Sequence, residues 1–448
     1  DLAIVPNLAA EVPTVANGGI SSDGTTYTIK LDEDAKWSDG RAVTAEDMVY
    51  SMKRALDPRL AGPYISFFYG ITGARDYNTA LGTADAPRTP SDAELDALRD
   101  RVGVSAQDEN TVVYTLALWT AFPVREDVIA AHGDHWTEAG NHIGNGPFRL
   151  AEWAHNERIV FEPNPYWSGE EPTLTRIEIS FIADDAAAYA AYLNDELDSV
   201  IVPPAVVREV TSPGSPLSEQ VVNLPELTTY AMIMNNSVAP FDNLKVRQAF
   251  ATAIDRDAYV NGVLQGAGRP TTGWIPPGMP GYDESIGSQY EYNPERAKEL
   301  LAEAVIGHRR ADEVDDGQGL PPVTFLAVSN DTNRITAQFV EDQLRRNLGV
   351  EVSTEFVDSR TFGARFTANQ HQVTIQRWTA DWPYPDNWLP DIFGSDALNN
   401  HAVYKNPKFD DLVRQAAAET DDAKRLDLYD QAHRLVLDDA ALSPIYNR

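Results

Sequence analysis

Apolar and polar positions alternate in short runs through the first half of the chain. YTIKL (27–31), TVVYTLAL (111–118) and TRIEISFI (175–182) read as strands, and NGPFRLAEW with RIVFEPNPYW (145–167) as two more joined by turns. Between the first two lies VTAEDMVYSMKRALDP, whose spacing predicts a helix. Thr44 is its expected N-cap, Asp47 completes a box-like cap, and Met48, Met52 and Ala55 keep one face apolar until Asp57-Pro58 ends it. Residues 82–110, broken by Gly, Pro and Asp, read as loop and short helix. DDAAAYAAYLNDELDSV (184–200) reads as a helix running into a strand, and prolines 203, 204, 213 and 216 mark a surface connection.

After residue 240 the period changes. LKVRQAFATAID (244–255) puts Val246, Ala249, Phe250 and Ala253 on one helical face. NPERAKELLAEA (293–304) begins with Asn293 as N-cap and Pro294 at the first helical position. PVTFLAV (322–328) predicts a strand. A helix over about 333–347 follows, with Ile335, Phe339 and Leu344 inward and Asn-Leu-Gly as its stop. VEVSTEFV (350–357) and QVTIQRW (372–378) predict two further strands. Strand and helix in alternation imply parallel strands with right-handed crossovers. Two helices near 407–418 and 421–438 close the chain.

Length and charge narrow the picture. A chain of 448 residues should hold more than one core. Net charge is −32, from 68 acidic against 36 basic residues, which excludes nucleic acid and disfavours anionic membrane surfaces. Without cysteine there are no disulfides, thiolate nucleophiles or Cys-based metal sites. No apolar run reaches membrane-spanning length, and nothing at the start reads as a signal peptide. The chain is therefore expected to be cytoplasmic, or the mature or trimmed form of an exported protein.

One stretch stands apart. WTADWPYPDNW (378–388) packs three tryptophans, two prolines and two aspartates into a segment too proline-rich for a core strand. It reads as a rigid aromatic wall, Trp378 and Trp382, around the carboxylate of Asp381. In open α/β folds ligands sit beyond the carboxyl ends of strands, and Asp381 lies just past the strand ending at Trp378. The competing reading is that Asp381 caps a turn before Pro383. Asp386, followed by Asn387, reads as a helix cap. HGDHWTEAGNH offers His132, Asp134, His135 and His142, a set of borderline metal ligands at no known spacing. No nucleophile elbow, P-loop or G-x-G-x-x-G occurs.

Several stretches, in order and covering nearly the whole chain, resemble the bacterial extracellular solute-binding family 5. They are DAKWSDGRAVTAEDMVYSMKRALDP (34–58), GNGPFRLAEWAHNERIVFEPNPYW (144–167), APFDNLKVRQAFATAIDRDAYV (239–260), WTADWPYPDNWL (378–389), YKNPKFDDLV (404–413) and DDAALSPIYN (438–447). The resemblance is strongest to the family's oligopeptide-binding members. It implies an α/β periplasmic binding protein of type II (cluster C): two lobes joined by a hinge, with an extra subdomain. Residues 1–143 would form that subdomain, 144–242 the first lobe and 243–448 the second. The family's usual segment before IVPNLA (4–9) and its C-terminal return are not in this sequence, so the first lobe is expected to be incomplete.

The resemblance further implies capture of a peptide and delivery to the membrane permease of an ABC importer. The expected protein is a monomer without cofactor, metal or enzymatic activity, in the periplasm or on the outer face of the membrane, with or without a lipid anchor. Asp381 would pair with the peptide's α-ammonium, the backbone of Arg377, Trp378 and Thr379 would add the peptide as a strand, and Trp382 would complete the wall. Arg377 replaces the small residue usual before the motif tryptophan, and narrows a pocket, meets a peptide carboxylate or points to solvent. Arg334 is a second candidate for that carboxylate. Tyr69, in the aromatic cluster YISFFY (64–69), either lines the cleft or belongs to a core. The same scaffold binding a nickel chelate or an oligosaccharide is the alternative, and a metal-dependent hydrolase built on His132 and His135 is a third.

Overall fold

The computed structural model describes residues 6–448 except 23–24, 61–64, 84–85, 114–122, 225, 307–308, 311–319 and 420. The backbone divides into two compact units, Asp1–Asp198 and Ser199–Arg448. A boundary near 242 was expected; the division falls earlier, because residues 228–234 form a strand inside the second unit's sheet.

In the first unit, β1 (Thr28–Lys30) pairs with a later strand while the intervening sequence makes α1 (Ala45–Ala55). The expected capping box is present: Thr44 Oγ1 accepts from the Asp47 N–H, and Asp47 Oδ2 accepts from the Thr44 N–H at 3.0 Å. Asp47 is itself buried, holding the Trp37 indole N–H at 3.2 Å and the Arg41 guanidinium. Met48 and Met52 face the core as the helical period requires. β2 (Ser105–Asp108) and β3 (Thr111–Val113) complete an antiparallel sheet in the order β1-β3-β2. The rest of the predicted 111–118 strand lies outside the described residues.

A second antiparallel sheet, β4 (Phe148–Ala154), β5 (Arg158–Pro163) and β6 (Ile177–Ser180), follows in sequence order. After it, α2 (Asp185–Leu193) is capped by Asp184 and stops at Asn194; no strand continues it to residue 200 as expected.

The second unit is built on a six-stranded mixed sheet. Its strands are β7 (Thr228–Met234), β8 (Arg269–Pro270), β9 (Val323–Val328), β10 (Val352–Val357), β11 (Val373–Thr379) and β12 (Leu442–Asn447), in the order β8-β12-β7-β11-β9-β10. β9 pairs in parallel with both β10 and β11, as the alternating pattern implied. β7 and β12 run antiparallel to their neighbours and were not anticipated.

The helices α3 (Leu244–Thr252), α4 (Pro294–Glu303), α5 (Asp331–Leu348), α6 (Ser359–Thr367), α7 (Pro407–Ala418) and α8 (Asp422–Asp438) cover this sheet. Val246, Ala249, Phe250 and Ala253 are fully buried, in a cluster that also holds Met232, Phe325 and Val373. Burying a side chain such as Phe250 contributes roughly 1.5–3 kcal/mol. Asn293 caps α4 with Pro294 behind it, and Gly349, at φ 70°, ends α5 where a side chain would strain the backbone. The inward face of α5 is Thr336, Ala337, Val340 and Leu344, with Phe339 packed beside it. Ile335 is 53% exposed, contrary to expectation. The helix starts two residues earlier than predicted, at the Asn330 cap, and its apolar stripe follows the later residues.

Candidate functional site

β11 supplies the backbone of the site. It pairs antiparallel with β7, setting Arg377 opposite Tyr230, Trp378 opposite Thr229 and Thr379 opposite Thr228. On its other side β9 registers with it only at Phe325 and Val373, and the Thr374 hydroxyl donates to the Leu326 carbonyl just beyond. Toward its carboxyl end β11 is therefore laddered to β7 alone among the described strands.

Arg377 is exposed. Its guanidinium lies 5.8 Å from the Tyr230 ring centre and Nη1 donates to the Tyr230 hydroxyl at 3.3 Å. Tyr230 stacks on Tyr446 of β12 with ring centres 4.4 Å apart. The Thr379 and Thr228 hydroxyls meet at 2.8 Å.

Past the strand, the Ala380 N–H donates to the Leu227 carbonyl and the chain turns into Pro385–Asn387. This turn is pinned from beneath. Trp388 is fully buried, its carbonyl accepts from the Trp274 indole at 2.9 Å, and the two indole rings meet edge to face. The Trp274 N–H in turn donates to His433 Nε2 at 3.1 Å.

Asp381 sits at the rim of this anchored turn, exposed as a residue. Its carboxyl still faces the motif closely enough for desolvation to raise its pKa from 3.8, opposed by a hydrogen bond from Asn387. No Lys, Arg or His among the described residues pairs with it. Each of the two tryptophans directs its indole N–H at a neighbouring side chain. The Trp378 indole N–H points to Asn387 Oδ1 at 3.3 Å, and the Trp382 indole N–H to Asp386 Oδ1 at 2.6 Å. Asp386 is thus an acceptor for an indole rather than a helix cap, and burial raises its pKa. Asp391, deeper still, is pushed up to about 8 by burial and by the charges of Asp386 and Asp381.

Sequence reasoning missed Asn387 and Asp391. The fully buried Asn387 binds Asp381 twice: its Oδ1 accepts from the Asp381 N–H at 2.8 Å and its Nδ2 donates to Asp381 Oδ2 at 3.2 Å.

Arg334 lies in the first turn of α5, directly after β9. Because β9 and β11 are parallel, it shares the carboxyl edge of the sheet with Asp381. It lies 4.9 Å from the Phe356 ring centre and donates to Ser329 Oγ at 3.0 Å. Tyr69 belongs to the first unit. It packs against that unit's core and its hydroxyl donates to Asn78 at 2.7 Å, in keeping with the core reading. Ile65 and Phe68 of the same cluster are buried, and Tyr64 lies outside the described residues. His142 is half-buried and stacks on Trp136. Among the described residues no three His, Asp or Glu side chains are grouped to hold a metal.

The sequence model "Bacterial extracellular solute-binding proteins, family 5 Middle" matches residues 3–400. The chain is 31% identical to the periplasmic oligopeptide-binding protein OppA of Salmonella typhimurium, over 97% of this chain and 78% of that protein. It is 28% identical to the oligopeptide-binding protein OppA of Bacillus subtilis, over 95% and 77%. Among solved structures, the Escherichia coli murein tripeptide binding protein MppA superposes with a TM-score of 0.84 at 26% identity, covering 99% of this chain and 84% of that one. Haemophilus influenzae OppA in complex with RPPGFSPFR gives 0.80 at 25%, covering 96% and 83%.

Proposed function

The chain belongs to the bacterial extracellular solute-binding proteins of family 5, with the family's two-lobed α/β periplasmic binding fold, and from that premise we propose that it captures peptides for an ABC importer. The observation that carries the proposal is Asp381: a carboxyl partly withdrawn from water at the carboxyl edge of the sheet, with no cation of the protein's own paired to it among the described residues. A ligand ammonium there stabilises the ionised form and offsets the desolvation. A charge-assisted hydrogen bond of this kind contributes about 1.5–3 kcal/mol.

The peptide main chain is proposed to add to β11 near Arg377–Thr379, where β9 has left the ladder. Such strand addition binds without reading side chains. Arg334 and Arg377, both exposed, are the cations proposed to meet a ligand carboxylate. The work is capture and release, with no bond made or broken, in the periplasm or on the outer face of the membrane. Binding is proposed to favour the closed state of the family's two-lobed fold, which the permease reads. X-ray scattering tests that step: the radius of gyration should fall on adding peptide.

Calorimetry with an unblocked tetrapeptide and its N-acetyl counterpart tests the ligand. The parent should prefer the unblocked form, and Asp381→Asn should bind it about 10- to 100-fold more weakly. Equal affinity of D381N and parent for the unblocked peptide overturns the assignment. Native mass spectrometry of protein purified without refolding separates peptide cargo from a nickel chelate or oligosaccharide. One relative, the probable deoxycholate-binding protein YgiS of Escherichia coli, is 28% identical and carries a name without peptide in it.

A further inference from the structure

We propose that Asn387 is the positioning residue of the cation site: it holds the Asp381 carboxylate in one orientation and leaves one oxygen, Oδ1, for the ligand's ammonium. The inference rests on the ammonium reading of Asp381 and adds the device that makes it work. Asp381 lies beyond the end of β11 and is exposed, so packing alone does not fix its rotamer. Asn387 bonds Asp381 at both ends, accepting from its backbone N–H and donating to its carboxyl. These bonds close a ring that ties the direction of the carboxyl to the direction of its own main chain.

Asn387 can serve as a fixed reference because it is fully buried in the anchored turn, next to the Trp388 that Trp274 holds. Its amide cannot flip. Two donors, the Asp381 N–H and the Trp378 indole N–H, converge on Oδ1, so Nδ2 is obliged to face the carboxylate. An amide is also the right chemistry. It donates a neutral hydrogen bond to Oδ2, which favours the ionised acid, yet leaves the negative charge for the ligand. An arginine or lysine in its place would neutralise that charge. The same amide acts on Asp391 as well, so it lies among carboxyls that would otherwise push one another toward the protonated form. The ligand class that fits is one presenting a primary ammonium, an N–H donor directed at a single oxygen.

Asn387→Ala and Asn387→Asp test this, with two readouts that a purely structural turn residue would not move. The first is the ratio of affinities for an unblocked peptide and its N-acetyl form. In N387A the ratio should fall about tenfold, and the double variant carrying D381N and N387A should show the same ratio as D381N alone. The second is the Asp381 carboxyl titration, followed by carbon NMR, which should move upward in N387A because the donor that favours its ionised form is gone. N387D keeps the shape and loses the donor, so its ratio should also fall, most at high pH. It stands in if N387A does not fold. An unchanged ratio together with an unchanged titration overturns the proposal, as do losses that simply add in the double variant. If D381N itself leaves peptide affinity untouched, the ammonium reading has failed, while the titration still decides whether Asn387 governs this carboxyl.

Discussion

The carboxyl of Asp391 is buried within reach of the charge on Asp386, and it is held protonated near neutral pH by the loss of water around it and by that charge. Its Oδ2 has no hydrogen-bond partner among the described residues. The folded protein therefore keeps a proton on Asp391 up to about pH 8, whereas the unfolded chain releases it near 3.8. Between those values the folded state binds more protons, so this group's contribution to stability falls as pH rises. Asp391→Asn removes the titration. Its melting temperature should exceed the parent's by a margin that widens from pH 4 to pH 8 and is constant above. A margin independent of pH would show that Asp391 is not protonated in the folded state.

His433, fully buried and pushed down to about 3 by desolvation, has the opposite sign. The unfolded chain takes up a proton near 6.5 and the folded state does not, so stability is lost as pH falls below about 6.5. His371 and His401, both pushed down to about 4 chiefly by burial, add to the same loss. His433→Leu should lose less stability than the parent between pH 7 and pH 5. At pH 7 it should still be the less stable protein, because the Trp274 N–H then has no acceptor, a loss of about 1–3 kcal/mol. Chemical denaturation at the two pH values checks both parts. Parallel pH profiles for variant and parent would refute the linkage.

In the first unit, Thr44→Ala and Asp47→Ala should differ. Thr44 supplies one half of a capping box, typically worth about 1 kcal/mol. Asp47 supplies the other half and is also the buried acceptor for the Trp37 indole and the Arg41 guanidinium. Removing it leaves a fully buried indole N–H unpaired and should cost about 1–3 kcal/mol beyond the cap. Equal losses in urea melts would mean that the indole finds another acceptor.

How much of this was legible follows from the range of the interactions. The caps at Thr44 and Asn293 were read correctly because cap and partner lie within one turn. The β9–α5–β10 and β11 pattern was read because its strands carry local periodicity. β7 escaped because TTYAMIM lies between two strands and is buried almost throughout, so it shows no alternation. β12 escaped because Pro444 argues against a strand, and only a register irregularity opposite β7 accommodates it. At the site, Asp381 was visible from its place after a strand. Asp386 was read as a cap and Asn387 beside it was passed over, since the role of Asn387 is set by a turn that folds it back on Asp381, and no spacing rule encodes that fold-back.

Arg256 is the strongest candidate for a residue whose loss dismantles the second unit. It is buried and makes its bonds almost entirely to main-chain carbonyls: Nε to Pro444 at 2.7 Å, Nη1 to Tyr290 at 2.8 Å and Ile254 at 3.3 Å, and Nη2 to Ala251 at 3.1 Å. Nη2 also donates to Ser443 Oγ at 3.0 Å. Burial pushes its pKa down to about 10, still far above neutral, so it remains charged with carbonyl dipoles rather than a paired carboxylate around it. One fork thus ties the segment after α3 to β12 and to the loop before α4. Lysine cannot reproduce it, because a single ammonium presents three donors from one atom. Arg256→Lys should cost at least about 3 kcal/mol, the scale for disrupting a buried, fully bonded charge. Arg256→Met, of similar length and without charge, should cost less than Arg256→Lys if the buried charge is the main penalty, and more if the orphaned carbonyls are. Guanidinium melts of the two variants decide between these, and a loss under 1 kcal/mol in both would show that Arg256 does not brace the unit.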